Sequence, residues 1–137
     1  MSSPSWALQT AIFTALSADT NIKSVLGNPA RIYDEVPREA AMPYLVIGDD
    51  KQSDWSTSTD TGAEHALTLH VWSRARGRKE SKTIAEAVRA ALDDADLSLT
   101  GHTLIDIKHQ SQEFLRQTDG QTYHAVLKFR AVTEESE

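Results

Sequence analysis

Two prolines fix the stretch of this sequence that most limits its fold. Ile32-Tyr33-Asp34-Glu35-Val36-Pro37 is followed, after a short polar gap, by Met42-Pro43-Tyr44-Leu45-Val46-Ile47-Gly48. Pro37 closes the first apolar run. Pro43 keeps Met42 out of the helical region, so the backbone enters the second run already extended. Tyr44 to Ile47 joins aromatic and β-branched side chains without a polar break, which predicts a strand covered on both faces. The rest of the chain is arranged around these two runs.

A chain of 137 residues is long enough to bury a core without a metal or disulfide staple, and one domain spanning 1–137 is expected. It has no cysteine, which excludes disulfides, thiolate chemistry and a Cys-ligated zinc and suits a reducing cytosol. No basic segment leads into an apolar core at the N-terminus, and no apolar run approaches about 18 residues, so neither a signal peptide nor a membrane span is expected. The net charge of −6 argues against bulk attraction to nucleic acid, while leaving room for a local basic patch. The end of the chain, Thr133-Glu134-Glu135-Ser136-Glu137, reads as a frayed, solvated acidic tail.

Taken in order, Ser2-Ser3-Pro4 opens a helix, with a serine cap and proline near the first helical position. Trp6, Leu8, Ile12, Ala15 and Leu16 form its approximate apolar stripe up to Asp19, with Leu8 off the line, so that this helix is covered on two sides. Asp19 or Thr20 caps a second, short helix with Ile22, Val25 and Leu26 on its face, and Gly27 ends it. From Asp49 to Gly62 the chain is Ser/Thr/Asp-rich around a lone Trp55, a long mobile loop or an extended hairpin arm. Ala63 to Ser73 alternates, with Leu67, Leu69 and Val71 on one face and Glu64, Thr68, His70 and Trp72 on the other.

Arg74-Ala75-Arg76-Gly77-Arg78-Lys79 leads into the strongest helix, whose Ile84, Ala85, Val88, Ala91 and Leu92 form a stripe for packing on a sheet. Its end charges oppose the helix dipole, basic residues at the start and Asp93-Asp94 at the end, so these charges answer to something outside the helix. Thr100-Gly101 is a tight turn after Leu97-Ser98-Leu99, and Leu104-Ile105-Asp106-Ile107 is the next strand. Asp119-Gly120 signals a hairpin pairing Thr118 with Gln121. That register would place Ile107 opposite Val132, away from the core set Ala125, Leu127, Phe129 and Ala131. A bulge between Lys108 and Phe114 is therefore expected, bringing Ile105 and Ile107 onto the core face. The order α-α-β-β-β-α-β-β-β predicts an α+β fold, a mostly antiparallel or mixed sheet with two main helices packed on it.

Chemistry is sparse. His65, His70, His102, His109 and His124 lack metal-ligand spacing, and His65 and His70 face opposite ways on one strand, so surface or interface histidines are expected. Asp34-Glu35, Asp49-Asp50 and Asp93-Asp94 are neighbours that do not converge on a point. There is no nucleophile elbow and no phosphate loop, so no enzyme, cofactor or metal is expected. Two features stand out instead. Arg74, Arg76, Arg78 and Lys79 put four cations in six residues, either a solvated loop or a contact with phosphate or an acidic neighbouring subunit. Trp55 and Trp72 have no internal core to join, which suits interface anchors, unless Trp72 lies under a helix on the second face of the sheet.

The Ile32-Tyr33-Asp34-x-x-Pro37…Pro43-Tyr44-Leu45-Val46-Ile47-Gly48 motif resembles the tail-completion and tail-terminator family of long-tailed phages and gene transfer agents. The likeness continues through Leu67-Thr68-Leu69-His70-Val71-Trp72-Ser73, then Gly77-Arg78 leading into Ile84-Ala85-Glu86-Ala87-Val88 and Leu92. It ends with the Leu99-x-Gly101 turn and His124-Ala125-Val126-Leu127-Lys128-Phe129. The resemblance implies a non-enzymatic virion part, assembled in the host cytoplasm as a hexameric ring of small subunits. Such a ring caps the head-proximal end of the tail tube, stops its polymerisation and meets the head-side stopper or connector protein, while DNA passes through without specific binding. No catalytic residue and no membrane contact come with it.

A closed ring needs two different complementary patches per subunit. The candidates are Arg74, Arg76, Arg78 and Lys79 on one side and Asp34, Glu35, Asp93 and Asp94 on the other, with Trp55 and Trp72 as anchors. Three other readings stand beside the ring at the tube end. They are a head-side stopper ring, a small adaptor that adds a peptide strand to its sheet edge, and a hydrolase with a dispersed site.

Overall fold

A computed structural model describes residues 3–136. The elements run α1 (Pro4–Ala18), α2 (Thr20–Leu26), β1 (Ile32–Tyr33), β2 (Tyr44–Asp54), β3 (Gly62–Ser73), α3 (Lys79–Leu92), β4 (Ser98–Leu99), β5 (His102–Arg116) and β6 (Tyr123–Glu135). This is the expected order. The strands form one mixed six-stranded sheet, β1-β2-β3-β6-β5-β4. β1 lies parallel to β2 and the other pairs are antiparallel. Two long helices, α1 and α3, accompany the sheet together with the short α2.

Local chemistry explains the boundaries. The Ser3 hydroxyl accepts the Trp6 N–H at 3.2 Å and starts α1; Ser2 lies outside the described residues. The Asp19 carboxylate accepts the Ile22 N–H at 3.0 Å and starts α2, which Gly27 ends at φ 93°.

The helices bury one face each. On α1 the buried row is Leu8, Ile12 and Leu16, with Ala7 and Ala11. Trp6 is 60% exposed and Phe13 44%, so Trp6 does not join the stripe expected for it. The sheet selects the i, i+4 row of aliphatic residues, and Trp6 and Phe13, seven apart, share the outward face. Ile84, Ala85, Val88 and Leu92 of α3 are fully buried, as their spacing predicts. Against them stand Leu45, Leu69, Val71, Ile107, Ala125, Leu127, Phe129 and Ala131. Each fully buried leucine or phenylalanine contributes about 1.5–3 kcal/mol relative to exposure.

The β2–β3 hairpin decides between loop and arm. Asp50 to Asp54 pair with Leu67 to Ala63, so the polar stretch is strand as far as Asp54. Only 55–61 is turn. The Asp54 carboxylate fixes it by accepting the Ser56 N–H at 3.1 Å, and the Trp55 N–H donates to the Gly62 carbonyl at 3.0 Å.

The β5–β6 ladder carries two irregularities, between His109 and Ser111 and between Leu104 and Asp106. The first lies where a bulge was expected and sets Ile107 opposite Ala131, fully buried. The second was not expected, and it leaves Ile105 50% exposed instead of core-facing. The C-terminal expectation also changes. Thr133 to Glu135 belong to β6, Thr133 is buried, and the Ser136 N–H donates to the Gly101 carbonyl at 3.0 Å. The ladder with β5 orders this segment in place of a frayed tail, and Glu137 lies outside the described residues.

The packing contacts of α1 and α3 fall on the face that holds the core, and the other face of the sheet is open. The run from Tyr44 to Ile47 is therefore covered on one face rather than the two expected, with Leu45 fully buried and Tyr44 and Val46 only half-buried. A ring contact covers part of Tyr44, whose centroid lies 5.7 Å from that of Tyr33.

Candidate assembly surface

The basic segment forms a corner at the end of β3. Ser73 accepts the Ala75 N–H at 3.2 Å and donates to Glu80 at 2.6 Å, which bends the chain from strand into α3. Arg74 Nε donates to the Thr122 hydroxyl at 3.1 Å. The Arg78 guanidinium sits 5.7 Å over the Tyr123 ring. Arg76 and Lys79 are exposed and make no ion pair among the described residues.

The corner leans on the 117–122 turn, which one carboxylate organises. Asp119 accepts the N–H groups of Gln121 and Thr122, both at 2.9 Å, and the Thr122 hydroxyl at 2.7 Å. These donors favour the charged form and hold the Asp119 pKa down at about 2. Arg74 and Arg78 thus rest on a turn that Asp119 braces.

The two acidic pairs separate. Asp93 accepts the His109 N–H at 2.9 Å and lies 3.8 Å from Arg89. The Asp94 N–H donates to the Ile107 carbonyl at 2.8 Å, and its carboxylate pairs with Lys108. The wrong-way charges at the end of α3 do answer to something outside the helix, and it is β5 of the same chain. Asp34 and Glu35 are exposed just beyond β1, with no ion pair among the described residues.

The tryptophans also differ. Trp55 is 51% exposed at the tip of the arm, with Arg130 5.2 Å over its ring and Arg130 Nε donating to Glu64 at 2.5 Å. Trp72 alternates with buried Val71 and Ser73 and so lies on the face away from the core, under no helix of the described residues. Its ring stacks on His124 at 3.9 Å and 7°, and His124 Nε2 lies 2.7 Å from His70 Nδ1. Burial lowers both histidine pKa values. Asp49 opposes the shift at His70, while His70 adds to it at His124 and Glu113 opposes it.

One histidine departs from the surface reading. His65 is fully buried, on the core side of β3 with Leu67 and Leu69, and its Nε2 lies 2.9 Å from the Thr133 hydroxyl. Burial lowers its pKa, with Asp50 pulling the other way. The odd spacing from His70 did predict opposite faces. Among the described residues no three His, Asp or Glu groups come together to hold a metal ion.

Sequence reasoning passed over three further groups. The row Trp6–Phe13 is exposed on a helix that carries no charged residue, a compositional signal available from the start. Lys82 reaches 5.2 Å over the Phe114 ring, and Arg116 ends β5 beside the basic corner.

Such a subunit offers charged corners, open edges and an uncovered sheet face, and its likenesses lie among structural proteins of virions. A chain of the virion of a native gene transfer agent (GTA) particle superposes with a TM-score of 0.89 and 30% identity, over 98% of this chain and 99% of that one. The family model of the tail completion protein gp17 matches residues 10–134, and the chain belongs to that family. The tail completion protein gp17 of Bacillus phage SPP1 is 32% identical over 88 residues, which span 64% of this chain and 65% of that relative. The protein is a structural component of a virion and not an enzyme.

Proposed function

We propose that this chain assembles into a ring, hexameric by the resemblance, that caps the head-proximal end of a tail tube. It ends tube polymerisation, meets the head-side connector, and lets DNA pass through its centre. The observation that carries this reading is the end-to-end likeness to a virion chain, together with the match to a tail completion family. Charge supports the passage of DNA, because a subunit of net charge −6 offers little non-specific attraction to phosphate.

The ring is heterologous, so each interface joins two different patches. Cations of the Arg74, Arg76, Arg78 and Lys79 corner face acid of the adjoining subunit rather than DNA. Trp55 at the arm tip and Trp72 on the open face are contacts for the tube or connector. The test is solution mass by light scattering, with and without purified tail-tube protein. A ring-sized species that depends on the tube is the expected result. Arg76→Glu with Arg78→Glu should reduce it; unchanged assembly sinks the role of the corner. A monomer in the presence of tube sinks the ring.

A further inference from the structure

The two outermost edges of the sheet differ in how far the chain itself covers them. β4 covers β5 only at His102 and Thr103. Beyond it, Asp94 holds the Ile107 carbonyl and Asp93 the His109 N–H, so the two residues just past α3 shield the middle of that edge. Ser111 to Arg116 pairs with β6 on its inner side and has no strand on its outer edge among the described residues. On the opposite side the outermost strand is β1, two residues long, running straight into exposed Asp34 and Glu35.

These stretches lie at the same height in the sheet. Ile32 aligns with Leu45, Leu45 with Val71, Val71 with Ala125, and Ala125 with Phe114. β1 and β5 run in opposite directions across the sheet, so a neighbour that continues the sheet brings β1 antiparallel to β5. An unpaired strand edge is a template for such addition. The charges are complementary. The incoming segment carries Asp34 and Glu35, both without an ion pair among the described residues. The receiving edge is flanked by Arg116, by Lys82 over Phe114 and by the basic corner, with Glu113 as its own acid.

We infer that the 111–116 edge of β5 in one copy receives the β1 edge and Asp34–Glu35 of the next copy, extending the sheet from subunit to subunit. This rests on the ring reading and names the surface through which the ring closes. The shielding by Asp93 and Asp94 limits the addition to the end of β5, and the use of two unlike edges makes the contact head-to-tail.

A chain without cysteine permits a direct test. Val36→Cys and Ser111→Cys are placed together in the full chain, tail-tube protein is added, and a short bismaleimide is supplied. The double variant should give a ladder of linked subunits, while either single variant stays monomer-sized. With Ile32 at the height of Phe114, Glu35 of the incoming copy falls beside Ser111, so Ser111→Glu should lower the ring fraction about tenfold, and adding Glu35→Lys in the same chain should restore it. A ring that forms without a ladder, or that ignores Ser111→Glu, overturns the edge contact and leaves the ring standing. Dimers from a single-cysteine variant overturn it too, by showing a two-fold contact. If no ring forms with the wild-type chain, the ring reading falls and the edge contact with it.

Discussion

Asp34-Glu35 and Asp93-Asp94 look alike as residues, yet the fold treats them in opposite ways. Asp93 and Asp94 close α3 and are spent on β5, one on a backbone N–H and one on Lys108. Asp34 and Glu35 follow a strand only two residues long, stand exposed and make no ion pair among the described residues. An acidic pair therefore says little about partners until the nearest donors are known. Where a helix end approaches a bulged strand, the strand's unpaired N–H groups take the carboxylates first. A pair left over after that accounting is the one available to a neighbour.

The sharpest way to break this contrast is Asp93→Ala. It leaves the His109 N–H without its charged acceptor, and a loss of about 1–3 kcal/mol is expected in denaturant unfolding. A value indistinguishable from wild type would remove the distinction between the pairs. Acid titration tests the same logic at Asp119. Its folded pKa of about 2 lies below the ordinary 3.8, so its contribution is present above that ordinary value and is lost as pH falls toward the folded one. Asp119→Asn should flatten the fall in stability across that acid window, read by thermal melts at stepped pH. Asp94→Ala comes next. Its partner Lys108 is solvent-exposed, and about 0–1 kcal/mol is expected. Asp34→Ala and Glu35→Ala should be smallest, within about 0.5 kcal/mol for the subunit, while their effect on assembly exceeds that of Asp94→Ala.

Burial adds a second, independent pH effect. His65 has a folded pKa below its ordinary 6.5, so its stabilising neutral state holds above that value and is eroded as pH falls through it toward the folded pKa. Acidification through that range should therefore destabilise the subunit, and His65→Gln should shrink this part of the curve.

Much of the fold was legible because it rests on periodicity. The α3 stripe, the alternation of β3 and the conflict that demanded a bulge near residue 110 all follow from which faces must be apolar. Trp6 was misplaced because apolar character alone does not tell which of two adjacent rows the sheet will choose. Ile105 was misplaced because one bulge satisfied the pattern and a second left no trace in it. Thr133 and Glu135 were taken for a tail because acidic composition outweighed a ladder whose partner begins at His102. At the surface the basic corner was visible as a charge run. Its support was not, since the bracing Asp119 and Tyr123 lie more than 40 positions further along the chain.

The bulge between His109 and Ser111 carries a consequence for descent. Side-chain direction alternates along a strand, so losing one residue there would turn His102 to Lys108 over and drive Ile107 into solvent while drawing its charged neighbours inward. The 55–61 turn imposes no such parity and can lengthen or shorten freely. Among related chains, gaps should collect at the arm tip and be nearly absent from β5, and a genuine single-residue deletion near 110 should appear only with a compensating insertion a few positions away.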